Sequence, residues 1–151
     1  MRWSISALII NQKYPKPPDE LTEDLALGES KIVATLKLQE VLSPPHFCIG
    51  FCKQSTIITH ANILLDFFRK EPGEIEQRFM HIFSKADMIA VGISERTGLA
   101  GFSYYSQGER IRLRLEEEEK GVILNQGILL PEEAGIEEED YFSFGFDIPE
   151  K

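Results

Sequence analysis

The period of the hydrophobic pattern changes several times along the chain, and each change marks an element. Over residues 2–11, Trp3, Ile5, Ala7 and Ile9 alternate with Ser4, Ser6 and Leu8, the period of two expected of a strand. Residues 13–19 hold Pro15, Pro17 and Pro18, which cannot donate to a ladder, so this stretch is a connector. Residues 20–27 predict a short helix stopped at Gly28. Over 31–42 the even positions Ile32, Ala34, Leu36 and Leu38 are apolar, and Thr35, Lys37 and Gln39 between them are polar. That period predicts a strand, broken by Ser43-Pro44-Pro45. Residues 46–52 and 55–59 predict a hairpin about Lys53-Gln54. A helix over 61–70 then carries Ile63, Leu64, Phe67 and Phe68 on one face, and Pro72-Gly73 ends it. A second helix over 74–85 has a narrow stripe of Ile75, Phe79, Ile82 and Phe83, as suits a helix lying on a sheet.

The strongest pattern is an antiparallel three-strand meander over 87–116. With Gln107-Gly108 as a two-residue turn, Tyr104 faces Ile111, Phe102 faces Leu113 and Ala100 faces Leu115. With Glu95-Arg96-Thr97-Gly98 as the other loop, Ile93 faces Ala100, Val91 faces Phe102 and Ile89 faces Tyr104. Two turns chosen separately thus place nine apolar side chains on one side, which predicts that side as core. The opposite side carries Ala90, Gly92, Gly101, Ser103 and Tyr105, then Arg110, Arg112 and Arg114. The same register sets Arg110 beside Tyr105, Arg112 beside Ser103 and Arg114 beside Gly101. It predicts a shallow trough of small residues bordered by three guanidinium groups. Beyond it, residues 122–130 lead to Pro131-Glu132-Glu133, and Phe142, Phe144 and Phe146 alternate over 141–148 as a final short strand.

Composition narrows this to one domain over 1–151. At 151 residues and 42% hydrophobic, with ten Phe, the chain can bury a core, and two cysteines do not make a disulfide framework. The predicted fold class is α+β: a largely antiparallel sheet with two or more helices packed on one face. No apolar run reaches the roughly 18–20 residues that cross a bilayer. The short apolar stretch near Met1 lacks a small-residue cleavage site, so a strand is preferred to a signal peptide and the cytoplasm follows by default. The net charge of −9 is unevenly placed, since residues 116–151 hold twelve acids against two bases. Such an acidic region disfavours nucleic acid and anionic membranes. It is either a solubilising tail or a docking surface for a basic protein partner.

Candidate chemistry is sparse. His46, Cys48, Cys52 and His60 have zinc-ligand side chains, but on one strand Cys48 and Cys52 stand about 13 Å apart at ~3.3 Å per residue. A tetrahedral site needs its sulfurs about 4 Å apart, and a disulfide needs them closer still. No metal is expected there, and buried structural thiols are. His81 falls on the polar side of the second helix with Gln77 and Lys85, and His60 follows Thr59, a possible cap. Gly98-x-x-Gly101 lies in a hairpin and does not run from strand into helix as a phosphate loop does. The carboxylates lie in consecutive runs, where nothing raises a pKa for general-acid work. No catalytic residue and no cofactor is expected. Ser103, Tyr105, Arg110, Arg112 and Arg114 are the candidate ligand-binding residues, able to hold a carboxylate, a phosphate or an acidic peptide. Pairing of the arginines with nearby glutamates, and of Arg110 with the Tyr105 ring, is the structural alternative.

Gly50-Phe51, Ile57-Ile58 and Phe67-Phe68, with Val91-Gly92, Phe102-Ser103-Tyr104-Tyr105, Gly108, Arg112 and Gly127-x-Leu129-x-Pro131-Glu132, form a pattern over about half the chain. It resembles a bacterial family of small uncharacterised α+β domains, and the resemblance implies that architecture and no chemistry. The functional expectation is a non-enzymatic protein-interaction or regulatory domain. The alternative is a domain or enzyme that holds a small anion over the arginine strand. A homodimer paired through meander edges is a third possibility.

Overall fold

The computed structural model describes residues 4–17, 20–21, 48–60 and 66–135. The expected strand over 31–42, the final strand over 141–148, and most of the helices over 20–27 and 61–70 lie outside the described residues.

Among the described residues, seven strands form one antiparallel sheet. They are β1 (Ser4–Ile10), β2 (Cys48–Cys52), β3 (Ser55–Thr59), β4 (Met88–Ser94), β5 (Leu99–Ser106), β6 (Glu109–Glu117) and β7 (Gly121–Gly127). Their order across the sheet is β2-β3-β1-β4-β5-β6-β7. Among the described residues there is a single α-helix, α1 (Glu74–Ile82), with 3-10 turns at Asp66–Phe68 and Pro131–Glu133. The expectation of an α+β domain with two or more helices is therefore corrected. Antiparallel sheet dominates, and the 66–70 stretch, read as the end of a helix, tightens into a 3-10 turn before Pro72.

The hairpin about Lys53-Gln54 forms in the expected register, Cys52 opposite Ser55, with Lys53 in the left-handed region at φ 57°. The β4–β5 register is also the one the pattern predicts: Ile93 faces Ala100, Val91 faces Phe102 and Ile89 faces Tyr104. The Gln107-Gly108 turn has positive φ at both residues, 54° and 74°, as a tight hairpin turn with the twist of its strands requires. Strand β7 had no separate element in the pattern. It closes the sheet beyond β6.

The β5–β6 register departs from expectation. Ser106 faces Glu109 and Tyr105 faces Arg110, but Tyr104 then faces Arg112, so Ile111 is the extra residue of a β-bulge. From there each β6 side chain moves to the other side of the sheet. Leu113 now faces Ser103, Leu115 faces Gly101, Arg112 faces Tyr104 and Arg114 faces Phe102.

The expected core side is reversed as well. The small-residue side is the one that packs. Leu8, Ile10, Ile58, Met88, Ala90 and Tyr105 from the sheet meet Phe67, Phe79 and Phe83 in one buried cluster. Small residues win this side because they let rings come close. The Phe68 ring lies over Gly92 so tightly that a Cβ there would stand 2.8 Å from it. Phe67 meets Tyr105 edge-on at 5.9 Å and Phe79 at 5.5 Å. Ile89, Val91, Ile93, Phe102 and Tyr104, the expected core, are only half-buried. Beyond β1 the chain is held to β3 by Thr56, whose hydroxyl accepts from the Tyr14 amide at 2.9 Å and donates to the Gln12 carbonyl at 2.7 Å.

Candidate functional site: two buried ionic networks

Helix α1 begins at Gly73, whose extended backbone lets its carbonyl accept from the Gln77 amide at 3.0 Å. Glu76, three residues in, turns back so that Oε1 accepts the Gly73 amide at 3.2 Å, satisfying a donor the helix leaves open. The same helical spacing puts Glu76 in line with Phe79 and Phe83, so its carboxyl enters the core and is fully buried. There the Tyr105 hydroxyl donates to Glu76 Oε2, and Ser103 Oγ donates to the Tyr105 hydroxyl oxygen at 2.6 Å. Arg110 Nη1 donates to Glu76 Oε2 at 3.2 Å and to the Arg69 carbonyl at 2.8 Å, and Nη2 donates to the Lys70 carbonyl at 2.8 Å. Burial raises the Glu76 pKa above its usual 4.5, against the Tyr105 hydrogen bond and the Arg110 charge, which lower it. Burial and the neighbouring Glu76 charge together raise the Tyr105 pKa far above its usual value.

The second network lies across the sheet, where the bulge sends Arg112. Its Nε reaches Glu133 Oε1 at 3.1 Å and Oε2 at 2.9 Å, and Nη2 reaches Oε1 at 2.9 Å. Its Nη1 donates to Asn125 Oδ1 at 2.6 Å and to the Gln126 carbonyl at 2.9 Å, both on β7. The guanidinium also stands 5.9 Å from the Phe102 ring centre. Glu133 accepts the Leu130 amide at 2.7 Å and so caps the turn that carries it. Arg114, also buried, donates to Glu116 at 3.1 Å.

The five candidate residues are thus divided. Ser103, Tyr105 and Arg110 come together under α1, while Arg112 and Arg114 sit on the other side of the sheet. The expected trough rimmed by three arginines does not exist as an open feature: the bulge removes two arginines from it and aromatic rings fill it. Glu76 was missed, although its spacing to Phe79 and Phe83 was the available signal. It also corrects the expectation that no carboxylate sits in surroundings that raise its pKa. Glu133 and Asn125 had no comparable signal, since only the fold brings them to Arg112. Cys48 is half-buried and Cys52 exposed, so they are not the buried thiols expected. His81 is exposed, as its helical position predicts.

Chemically, the first network is a line of hydroxyl, phenol, carboxyl and guanidinium groups joined by hydrogen bonds. The described surface carries shallow depressions. One is lined by Glu74, Gln77, Arg78, His81 and Ile82, and another by the turns at Glu95–Gly98 and at Glu117, Glu118 and Glu119. Neither is lined by Glu76, Tyr105, Ser103 or Arg112. Among the described residues no helix is long and apolar enough to cross a membrane. Compared with protein-family models, curated proteins and solved structures, the chain matches none.

Proposed function

We propose that the protein is a non-enzymatic interaction or regulatory domain whose partner is a protein with a basic surface. The observation that carries this reading is an apolar edge with an acidic border. Ile123, Ile128 and Leu129 are 45%, 74% and 65% exposed, and the exposed Glu118, Glu119 and Glu132 flank them in sequence. The arginines lend weight to it. Arg110 and Arg112 already hold carboxylates of their own chain, so an external anion would have to displace Glu76 or Glu133. The setting in this reading is the cytoplasm, which keeps cysteines such as Cys48 and Cys52 reduced.

The test is quantitative capture from cells that express the protein, with wild type compared with a triple variant, Glu117→Gln, Glu118→Gln and Glu119→Gln. A basic protein that is retained by wild type, released as salt rises and lost by the variant supports the reading. Identical capture by both forms, or a selective thermal shift with phosphate or a carboxylate, defeats it.

A further inference from the structure

We infer that β7 is the docking strand itself, and that the partner contributes an extended basic segment that adds to the sheet as an eighth strand. This rests on the proposed interaction with a basic protein and names its site and geometry.

Strand β7 ends the sheet, and among the described residues no strand pairs with its outer side. Exposed edges are ordinarily guarded by charges, prolines or short length, because unpaired amides and carbonyls recruit other strands. The seven residues Gly121–Gly127, GVILNQG, contain no charge and no proline. The opposite edge, β2, is shorter at five residues, and Lys13 stands over its Phe51 ring at 5.5 Å. A register shift between Leu115 and Glu116 makes Ile123 the unpaired residue of β7 and leaves it exposed. Ile128 and Leu129 prolong the apolar strip past the end of the strand.

Charge selects the occupant. Glu117, Glu118 and Glu119 lead into the strand and Glu132 follows it, with Lys120 3.6 Å from Glu117 as the one base of that turn. A second copy paired antiparallel would bring each acidic turn against the end of the other strand, where Glu132 follows, and each copy carries −9. A segment that combines apolar residues with lysine or arginine matches both the apolar strip along this edge and the glutamates before and after it. Main-chain hydrogen bonds supply the affinity common to strand addition.

The experiment uses the full chain, isotope-labelled, with two synthetic nonapeptides: alternating lysine and valine, and alternating glutamate and valine. The expected result is at least about tenfold slower hydrogen exchange at alternate β7 amides with the lysine peptide only. The effect should disappear in Ile123→Pro, and weaken in the double variant Ile128→Lys/Leu129→Lys, which changes no strand residue. Binding of the lysine peptide at α1 or β2 overturns strand addition at β7 and leaves the interaction reading standing. Equal protection by both peptides overturns the charge selection. Full protection of β7 without peptide, whether from this chain or, by light scattering, from a dimer, overturns the inference as a whole. No binding of either peptide overturns the inference, while the capture experiment judges the interaction reading separately.

Discussion

Replacing Arg112 by Met tests whether the bulge at Ile111 is an ordered feature with energetic consequences. Arg112 is 1% exposed and its guanidinium grips both oxygens of a Glu133 carboxyl that is itself 7% exposed. Methionine fills much of the same volume but removes the two-pronged partner of a buried charge. Breaking such a pair costs about 3–5 kcal/mol, because the remaining carboxylate keeps its desolvation penalty. An exposed pair would cost under ~1 kcal/mol. For a chain of 151 residues, each kcal/mol lowers the melting temperature by about 2–4 °C, so the expected fall is about 6–20 °C. Urea unfolding followed by circular dichroism measures the free energy directly. The double variant Arg112→Met/Glu133→Gln should cost less than the sum of the single changes by about 1–3 kcal/mol, since the amide carries no charge needing a partner. A loss below ~1 kcal/mol for Arg112→Met, or strict additivity in the double variant, refutes the buried pair and with it the register that places Arg112 beside Glu133.

Three further outcomes are expected. Glu76 binds its proton more tightly folded than unfolded, so its contribution to stability declines as pH rises from about 4.5 towards the higher folded value. The stability difference, wild type minus Glu76→Gln, should therefore fall over that window in pH-dependent urea titrations, and a flat or rising difference contradicts the buried carboxyl. Gly127→Ala should be far more damaging than Gly121→Ala. Both have positive φ, 94° and 77°, costing about 1–2 kcal/mol for any side chain, but a Cβ at Gly127 would lie 2.0 Å from the Ile111 carbonyl oxygen whereas Gly121 faces open space. Equal melting temperatures for the two variants would disprove that contact. Finally, the native protein should react with two equivalents of a thiol reagent, Cys52 faster than Cys48, and a single fast equivalent or none would contradict their exposure.

What the sequence determined by itself was local. Alternation placed β1, β3 and β4, the glycine of Gln107-Gly108 placed a turn, and the two-residue spacing at Lys53-Gln54 placed another, because each depends on neighbours in the chain. The β4–β5 register followed too, since one loop length fixes it. Tertiary structure decided the rest. In β6 both Ile111, Leu113, Leu115 and Arg110, Arg112, Arg114 alternate perfectly, so periodicity is blind to an extra residue between them. The bulge is fixed by a distant group: the Ile111 carbonyl accepts from the Ile128 amide at 3.1 Å, beside a residue that must be glycine. The core side was equally out of reach. Large apolar residues mark either side of a strand as able to be buried. Which side is buried depends on what can approach, and four phenylalanines from Asp66–Phe68 and α1 to Phe83 approach the side with glycine, alanine and serine. The arginine strand that looked like one surface is divided between opposite sides of the sheet, Arg110 on one and the buried Arg112 and Arg114 on the other, with the single residue Ile111 between them.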